Sequence, residues 1–293
     1  MVCYAPLQAW RQKNDTRLAF RRGPATFGEM IPLPCGQCIG CRIDRSSQWA
    51  MRCMNERRMW EKTHAGSFLT LTYRPEDLPP GGTLVKRDLQ LFMKRIRNAN
   101  GAGVRFYGVG EYGGIFGRPH YHVLLFNVGF ADKAFYKSGK RDGETLYVSK
   151  SLAEMWPHGH SVFGDVTYDS CAYVSGYIID KITGEKADDW YAGRQPEFSV
   201  MSKGIGASYY MKYAHEIYAH DSVIIKGAAR RPPRYYDDKW KAVDSVGLKE
   251  LKLKRRRFAK RLLMRSHPDF GVDRRRIREV VQLKKLAMKK GTS

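Results

Sequence analysis

Between residues 67 and 182 the chain alternates between two hydrophobic periods, and this alternation limits its fold more than any other feature. Period-two patterns typical of strands fall at 67–73, 104–112, 119–127 and 161–168, and helical spacing falls at 86–100, 150–156 and 170–182. The order is therefore β-α-β-β-α-β-α. It is the order of the split βαβ, or ferredoxin-like, arrangement, so we predict an α+β fold with an antiparallel sheet and helices on one of its faces.

The composition divides the rest of the chain around this core. The first 66 residues hold three closely spaced cysteines and a helix predicted to begin at Asp44 or Ser46, whereas the last 48 are dense in Lys and Arg at helical spacing. We predict four regions: a cysteine-containing N-terminal segment with a helix (1–66), the core (67–185), an accessory segment packed on the core (186–245) and a basic helical tail (246–293).

The net charge of +23 over 293 residues narrows the class of partner. A charge of this sign and size is typical of proteins that bind a polyanion such as nucleic acid, although a basic face can also be merely solvated. No segment reaches the roughly 18 apolar residues of a membrane span, and the first residues lack the apolar run of a secretory signal. We therefore expect no membrane partner and a cytoplasmic protein.

Two histidines one residue apart, His120 and His122, begin the apolar segment PHYHVLLFN. Successive residues of a strand point to opposite faces, so the two imidazoles share one face and Tyr121 points to the other. Such a pair fits a packed strand, but it also fits a divalent metal site. Mg²⁺ and Mn²⁺ favour a carboxylate ligand as well, and Glu111 on the preceding strand of the predicted hairpin is the candidate.

Two tyrosines, Tyr173 and Tyr177, lie four residues apart on the last predicted helix of the core, and Lys181 continues the same stripe. Tyrosine stripes are most often core, but a lysine on the stripe is typical of a site that handles phosphate. A phenol is a competent nucleophile when a metal polarises the phosphorus that it attacks. The stripe is therefore a candidate catalytic group.

Rival residues exist for both roles. His158 and His160 also alternate, but they fall in a predicted loop, where the direction of a side chain is not fixed. Tyr209 and Tyr213 are also four residues apart and lie among basic residues, which suits stacking on the bases of single-stranded DNA. We rank both pairs behind the first.

Three cysteines, Cys35, Cys38 and Cys41, form a C-x2-C-x2-C pattern on glycine turns. Thiols so close together are good ligands for a soft metal, and an iron–sulfur run of the ferredoxin type would need a further cysteine where Arg45 stands. The pattern favours a structural zinc with Cys3 or Cys53 as fourth ligand, the alternative being reduced thiols without a metal. No G-x-x-x-x-G-K-[ST] loop is present, so nucleotide hydrolysis is not indicated.

The segments FLTLTY, RPHYHVLLF and AYVSGYIIDK follow one another in the order and spacing of the three motifs of HUH-type rolling-circle endonucleases. Together with CGQCIGCR, GEYG and PPRYY they make the chain, up to about Tyr236, resemble the replication initiator proteins of microviruses, especially the gokushovirus-like ones. The resemblance implies an HUH endonuclease fold. It implies metal ligands at His120, His122 and Glu111, nucleophiles at Tyr173 and Tyr177, and the lysine of the tyrosine motif at Lys181.

The same resemblance implies an activity. It is that of a Mg²⁺- or Mn²⁺-dependent endonuclease and strand-transferase, which nicks and rejoins single-stranded origin DNA through a 5′-phosphotyrosine and so initiates and terminates rolling-circle replication. A host helicase and DNA polymerase are implied as partners. The alternatives are a relaxase or transposase of the same chemistry, and a non-catalytic protein that binds or packages single-stranded DNA.

Overall fold

The structure is a computed structural model that describes residues 3–60, 66–114, 116–138, 144–180, 186–266 and 272–291. The chain divides into two compact units, Met1–Arg45 with Asp244–Ser293, and Ser46–Val243. The first unit contains an antiparallel sheet of three strands and the basic tail helices: β1 (Leu7–Gln12), β2 (Leu18–Ala19), β3 (Thr26–Leu33), α8 (Ser245–Ser266) and α9 (Val272–Gly291). The division falls within helix α1 (Ile39–Trp60).

The second unit holds the core. Its strands are β4 (Ser67–Thr72), β5 (Phe106–Tyr112), β6 (Pro119–Leu125), β7 (Ala134–Ser138), β8 (Thr145–Val148), β9 (Ser161–Asp165), β10 (Phe198–Met201), β11 (Val223–Ile225) and β12 (Ala228–Arg230). Its helices after α1 are α2 (Lys86–Asn100), α3 (Lys150–Met155), α4 (Tyr168–Asp180), α5 (Lys186–Tyr191), α6 (Ala207–His220) and α7 (Arg234–Trp240).

A seven-stranded sheet dominates this unit, in the order β10-β5-β6-β4-β9-β8-β7 with antiparallel pairing throughout. The predicted α+β class and antiparallel sheet are confirmed. Four central strands, β5-β6-β4-β9, follow the predicted chain order, with α2 between β4 and β5 and α3 before β9. The hairpin β7–β8, inserted between β6 and α3, and the edge strand β10 were not predicted.

The prediction of helices on one face is wrong, because helices pack on both faces. On one face α2 and α3 bury residues such as Leu89, Phe92 and Trp156 against the sheet. On the other face α1 and α4 contribute Cys53 and Val174 to a second core. The physical reason lies in β5 and β6, where nearly every residue is buried, so both faces of these strands must be covered.

The N-terminal segment is more regular than predicted, since it forms the sheet β2-β1-β3. Helix α1 also begins at Ile39, before the predicted start at Asp44 or Ser46, so Cys41 lies in its first turn. Among the described residues, none of the helices is long and apolar enough to cross a bilayer.

Candidate metal site and the adjoining tyrosines

Antiparallel pairing brings three potential metal ligands together on one face of the sheet. Glu111 of β5 stands directly opposite His120 of β6, and His122 follows two residues later on the same face. A nitrogen of each histidine and an oxygen of Glu111 all lie within 4.8 Å of one another. The predicted group of Glu111, His120 and His122 is therefore assembled by the register of the two strands.

Both histidines point the same ring nitrogen at one carboxylate oxygen. The Nε2 atoms of His120 and His122 lie 2.6 Å and 3.1 Å from Oε1 of Glu111. The other ring nitrogens are engaged elsewhere: Nδ1 of His120 lies 3.1 Å from the carbonyl oxygen of Arg118, and Nδ1 of His122 lies 3.0 Å from Oγ1 of Thr70. Since Nδ1 is fixed by these neighbours, Nε2 is the nitrogen presented to a ligand.

The three groups influence one another's ionisation. Burial alone would raise the pKa of Glu111, but its hydrogen bonds with His120 and His122 outweigh burial and hold that pKa below its usual value. Burial likewise opposes the charged form of His120, yet the contact with Glu111 leaves its pKa raised. His122 lies deeper, and burial lowers its pKa. Two imidazoles and an ionised carboxylate are thus the donors that this site offers.

The tyrosines predicted as nucleophiles lie against His122. The ring of Tyr177 stacks on the His122 ring with a centroid distance of 5.5 Å and an interplanar angle of 4°, and the ring of Tyr173 meets it edge-on at 5.2 Å. The two tyrosine rings are 5.0 Å apart. Tyr173 is 40% exposed, so the pair lies between the metal-ligating group and solvent. Helix α4 therefore delivers both phenols to the same place.

Tyr121 points away from the site, as its position between the histidines predicts. It is fully buried on the opposite face, where its hydroxyl lies 2.9 Å from the carbonyl oxygen of Val85 and accepts the Val85 N–H at 3.0 Å. The same hydroxyl lies 2.8 Å from that of Tyr73, which donates to Asp88 at 2.6 Å. Tyr121 thus ties β6 to the start of α2.

The rival residues lie in other surroundings. His158 packs its ring on Tyr73 and Trp156, on the opposite face of the sheet from His120. His160 is exposed. Among the described residues, neither belongs to a group with metal-binding geometry. Tyr209 and Tyr213 pack on each other in α6, with ring centroids 4.7 Å apart.

Lys181, predicted as the lysine of the tyrosine motif, lies outside the described residues. Two neighbours of His122 for which the sequence predicted no role do lie within them. Thr70 contacts the ring nitrogen of His122, and the Phe68 ring lies 5.5 Å from the His122 ring. The alternation in FLTLTY places Phe68, Thr70 and Thr72 on one face, but only the pairing of β4 with β6 shows which histidine each of them meets.

A second group of ligating side chains lies in the other unit. The sulfur atoms of Cys3, Cys35, Cys38 and Cys41 all lie within 4.8 Å of one another. Of the two candidates for the fourth position, Cys3 joins the group, whereas Cys53 is fully buried in the core beneath α1.

Backbone N–H groups point at these sulfurs. Cys3 accepts from the N–H of Cys35, Cys35 from that of Cys38, and Cys38 from that of Tyr4, at 3.2–3.4 Å. Burial opposes ionisation of Cys38, but the N–H groups of Tyr4 and Cys41 outweigh burial and lower the pKa of this thiol to about 7. Burial raises the pKa of Cys41. Such N–H donors stabilise thiolates, which are the form that binds a metal.

The fold and site together define an α+β protein in which a buried group of two histidines and one carboxylate lies beneath paired tyrosines. Comparison with known proteins gives the family. A family model described as replication-associated protein ORF2 matches residues 66–182. The chain is 31% identical to replication-associated protein ORF2 of Spiroplasma virus 4, over 96% of this chain and 97% of that protein. The chain therefore belongs to this family of replication-associated proteins.

Two further relatives are similar over a shorter stretch. Replication-associated protein VP4 of Bdellovibrio phage phiMH2K is 34% identical over 71% of this chain and 67% of its own length. Replication-associated protein ORF4 of Chlamydia phage 1 is 29% identical over 71% of this chain, and the match covers 53% of that protein. These relatives confirm the resemblance to microvirus replication initiators that the motifs indicated. No solved structure matches the chain.

Proposed function

We propose that this protein nicks and rejoins single-stranded DNA at a replication origin, and so starts and ends rolling-circle replication of a phage genome. The observation that carries the proposal is the contact of Tyr173 and Tyr177 with His122 of the metal-ligating group. A nucleophile for phosphoryl transfer must lie beside the cation that neutralises the phosphate, and these tyrosines do so. The net charge of +23 supports a nucleic acid as the substrate.

The donor set fits a divalent cation that accepts both nitrogen and oxygen ligands. His120 and His122 would each supply Nε2 and Glu111 one carboxylate oxygen, and we assign the site to Mg²⁺ or Mn²⁺. When bound, such a cation would neutralise charge on the scissile phosphate and make its phosphorus easier to attack.

The tyrosines perform the covalent steps. The phenol oxygen of one tyrosine attacks phosphorus, the bond from phosphorus to the 3′ oxygen breaks, and the phenol proton is lost while the departing 3′ oxygen gains one. The products are a 5′-phosphotyrosine and a free 3′-OH. In the reverse direction a 3′-OH attacks the phosphotyrosine, which restores both the phosphodiester and the phenol. One ester is exchanged for another, so no nucleotide is consumed.

Two tyrosines on one helix face allow two rounds of this exchange at one site. The first would hold the 5′ end during synthesis, and the second would cut the regenerated origin. A free 3′-OH is the substrate that a DNA polymerase extends. Since the sequence contains no P-loop, we assign strand separation and synthesis to a host helicase and polymerase, and we expect the reaction to occur in the host cytoplasm.

For the four-cysteine group we propose a structural Zn²⁺. Four thiolates without a carboxylate or an open position are the donor set of closed, non-catalytic zinc sites. Zinc at this position would tie Cys3 to the beginning of α1 through Cys41.

The test of the nicking activity is the covalent intermediate itself. Overlapping 3′-labelled oligonucleotides that tile the phage genome are incubated with the protein and Mn²⁺, and then denatured and separated on a gel. We expect one oligonucleotide to remain attached to the protein. Tyr173→Phe combined with Tyr177→Phe is expected to abolish the adduct, because it removes both attacking oxygens.

The matched control is Tyr209→Phe combined with Tyr213→Phe, which removes the same two atoms from the rival pair and should form the adduct like the wild type. An adduct that survives the first double substitution contradicts the nucleophile assignment. Tight DNA binding by the wild type with no adduct on any oligonucleotide would instead support a non-catalytic binding protein.

A further inference from the structure

The face of the seven-stranded sheet that carries Glu111, His120 and His122, here called the site face, differs between its two halves. On β5 and β6 its residues Val109, Glu111, His122 and Leu124 are buried, and α4 packs on these strands. On β4 and β9 the residues of the same face are partly exposed: Phe68, Thr70, Thr72 and Val162. The site face is therefore open on the side that leads away from β5.

One row of cross-strand neighbours crosses this open half. It begins at Phe68, whose ring lies 6.1 Å from that of Tyr173, and continues to its partner Gly164 on β9. A side-chain carbon built at Gly164 would lie 3.5 Å from Leu146 of β8, which in turn pairs with Lys137 of β7. Three strand spacings separate Phe68 from Lys137, or about 14 Å. The open surface thus runs from the tyrosines to the inserted hairpin.

The outer strand of that hairpin combines a cation with an exposed ring. Every residue of β7 is exposed, and the ammonium of Lys137 lies 5.1 Å from the ring of Tyr136, which is 50% exposed. The neighbouring Phe135 is 67% exposed, but it pairs with Tyr147 and so lies on the opposite face of the sheet. An exposed aromatic ring beside a cation is the arrangement that holds single-stranded nucleic acid.

We propose that the substrate strand crosses the open half of the site face from the tyrosines to the hairpin β7–β8, where a base stacks on Tyr136 and Lys137 contacts a phosphate. This inference rests on the proposed function for the nature of the substrate. It adds that the hairpin holds the strand away from the point of cleavage. Affinity should therefore depend on how far an oligonucleotide extends beyond the scissile phosphate.

A second copy of this chain is the other occupant that an edge strand could accept, through pairing of one β7 with another. The net charge of +23 opposes contact between two copies, and a lysine on an edge strand hinders strand addition. Both features favour a polyanion over a second copy.

The test compares neighbouring residues of β7. Binding of two single-stranded oligonucleotides is measured by fluorescence anisotropy in EDTA, one spanning the cleavage site closely and one extended on both sides. For Tyr136→Ala combined with Lys137→Gln we expect the longer oligonucleotide to bind about tenfold more weakly, down to the affinity of the short one. Phe135→Ala is the matched control, since it removes an exposed ring from the same strand but from the other face, and it should leave both affinities unchanged.

Failure of this inference can be told apart from failure of the nicking proposal. Equal affinities of the double variant and the wild type for the longer oligonucleotide would overturn the inference, even if the adduct with tyrosine forms. So would an equal loss with Phe135→Ala, or a change from dimer to monomer in sedimentation that accompanies the double substitution. Loss of length-dependent binding in the double variant alone would uphold the inference, even if no adduct forms.

Discussion

The two groups of metal-ligating side chains are held in place in opposite ways. Glu111, His120 and His122 stand on two paired strands of a sheet that has a hydrophobic core on each face. The four cysteines lie in a unit with few buried apolar residues, which among the described ones are Ala9, Ile39, Cys41 and Leu248. Several of its large apolar side chains, among them Phe20, Phe27 and Met30, are exposed.

This contrast indicates which site depends on its ion. The sheet builds the histidine site whether or not a cation is present, because register and packing already fix the ligands. The cysteine group has no comparable core to fix it, so a bound metal would supply a large part of the local folding free energy. Substitutions at the two sites should therefore differ in how far they disturb the surrounding fold.

The largest effect is expected from removal of the zinc. Cys38→Ser deletes one of four ligands, and structural zinc binding contributes on the order of 10 kcal/mol to folding. We expect the purified wild type to hold one Zn²⁺ per chain and the variant to hold almost none. Limited proteolysis should then cut the variant rapidly within residues 3–45, while the region of the seven-stranded sheet stays protected.

Cys53→Ala is the control, because Cys53 is a buried cysteine that lies outside the group. It should retain zinc and the wild-type proteolysis pattern in residues 3–45. Wild-type protein that is prepared under reducing conditions and contains no zinc would contradict the assignment. So would a Cys38→Ser variant whose N-terminal region stays protected.

An intermediate effect is expected at Tyr121, on the packed side of the contrast. Burial raises the pKa of Tyr121 to about 12, and its hydroxyl serves the N–H and carbonyl of Val85, the residue that precedes α2. Tyr121→Phe leaves these groups without that partner, and an unsatisfied buried group costs about 1–3 kcal/mol. Chemical denaturation should reveal a loss of this size, with zinc content unchanged.

Tyr136→Phe removes the same hydroxyl from an exposed position and should change the unfolding free energy by less than about 0.5 kcal/mol. If Tyr121→Phe were equally harmless, the hydroxyl network would not be what fixes α2 against β6.

The sequence was informative where a feature depends on local period or spacing. The shared face of His120 and His122, the inward direction of Tyr121 and the i, i+4 placement of Tyr173 and Tyr177 all follow from the geometry of a single element. The helices on both faces were missed, because the split βαβ order by itself does not say which face each helix covers. Cys3 and Cys53 could not be separated as ligands, since their positions depend on how distant segments meet.

Thr70 belongs to the same class of missed feature and gives the smallest predicted effect. Its Oγ1 lies 3.0 Å from Nδ1 of His122, a contact that exists only because β4 pairs with β6 in this register. Thr70→Val keeps the shape but removes the hydroxyl that orients the ring, and loss of such a partner weakens metal binding by about 10–100-fold. Mn²⁺ titration followed by electron paramagnetic resonance measures this.

Two further variants separate the hydroxyl from the strand that carries it. Thr70→Ser keeps a hydroxyl and should recover most of the affinity for Mn²⁺. Thr72→Val removes one on the same strand and face, but the Thr72 hydroxyl bonds the carbonyl of His160 and should not matter for the metal. If Thr72→Val weakened Mn²⁺ binding as much as Thr70→Val, the effect would come from a general disturbance of β4. If neither did, packing alone would orient His122, and the sheet would position its ligands even more completely than the contrast with the cysteine group requires.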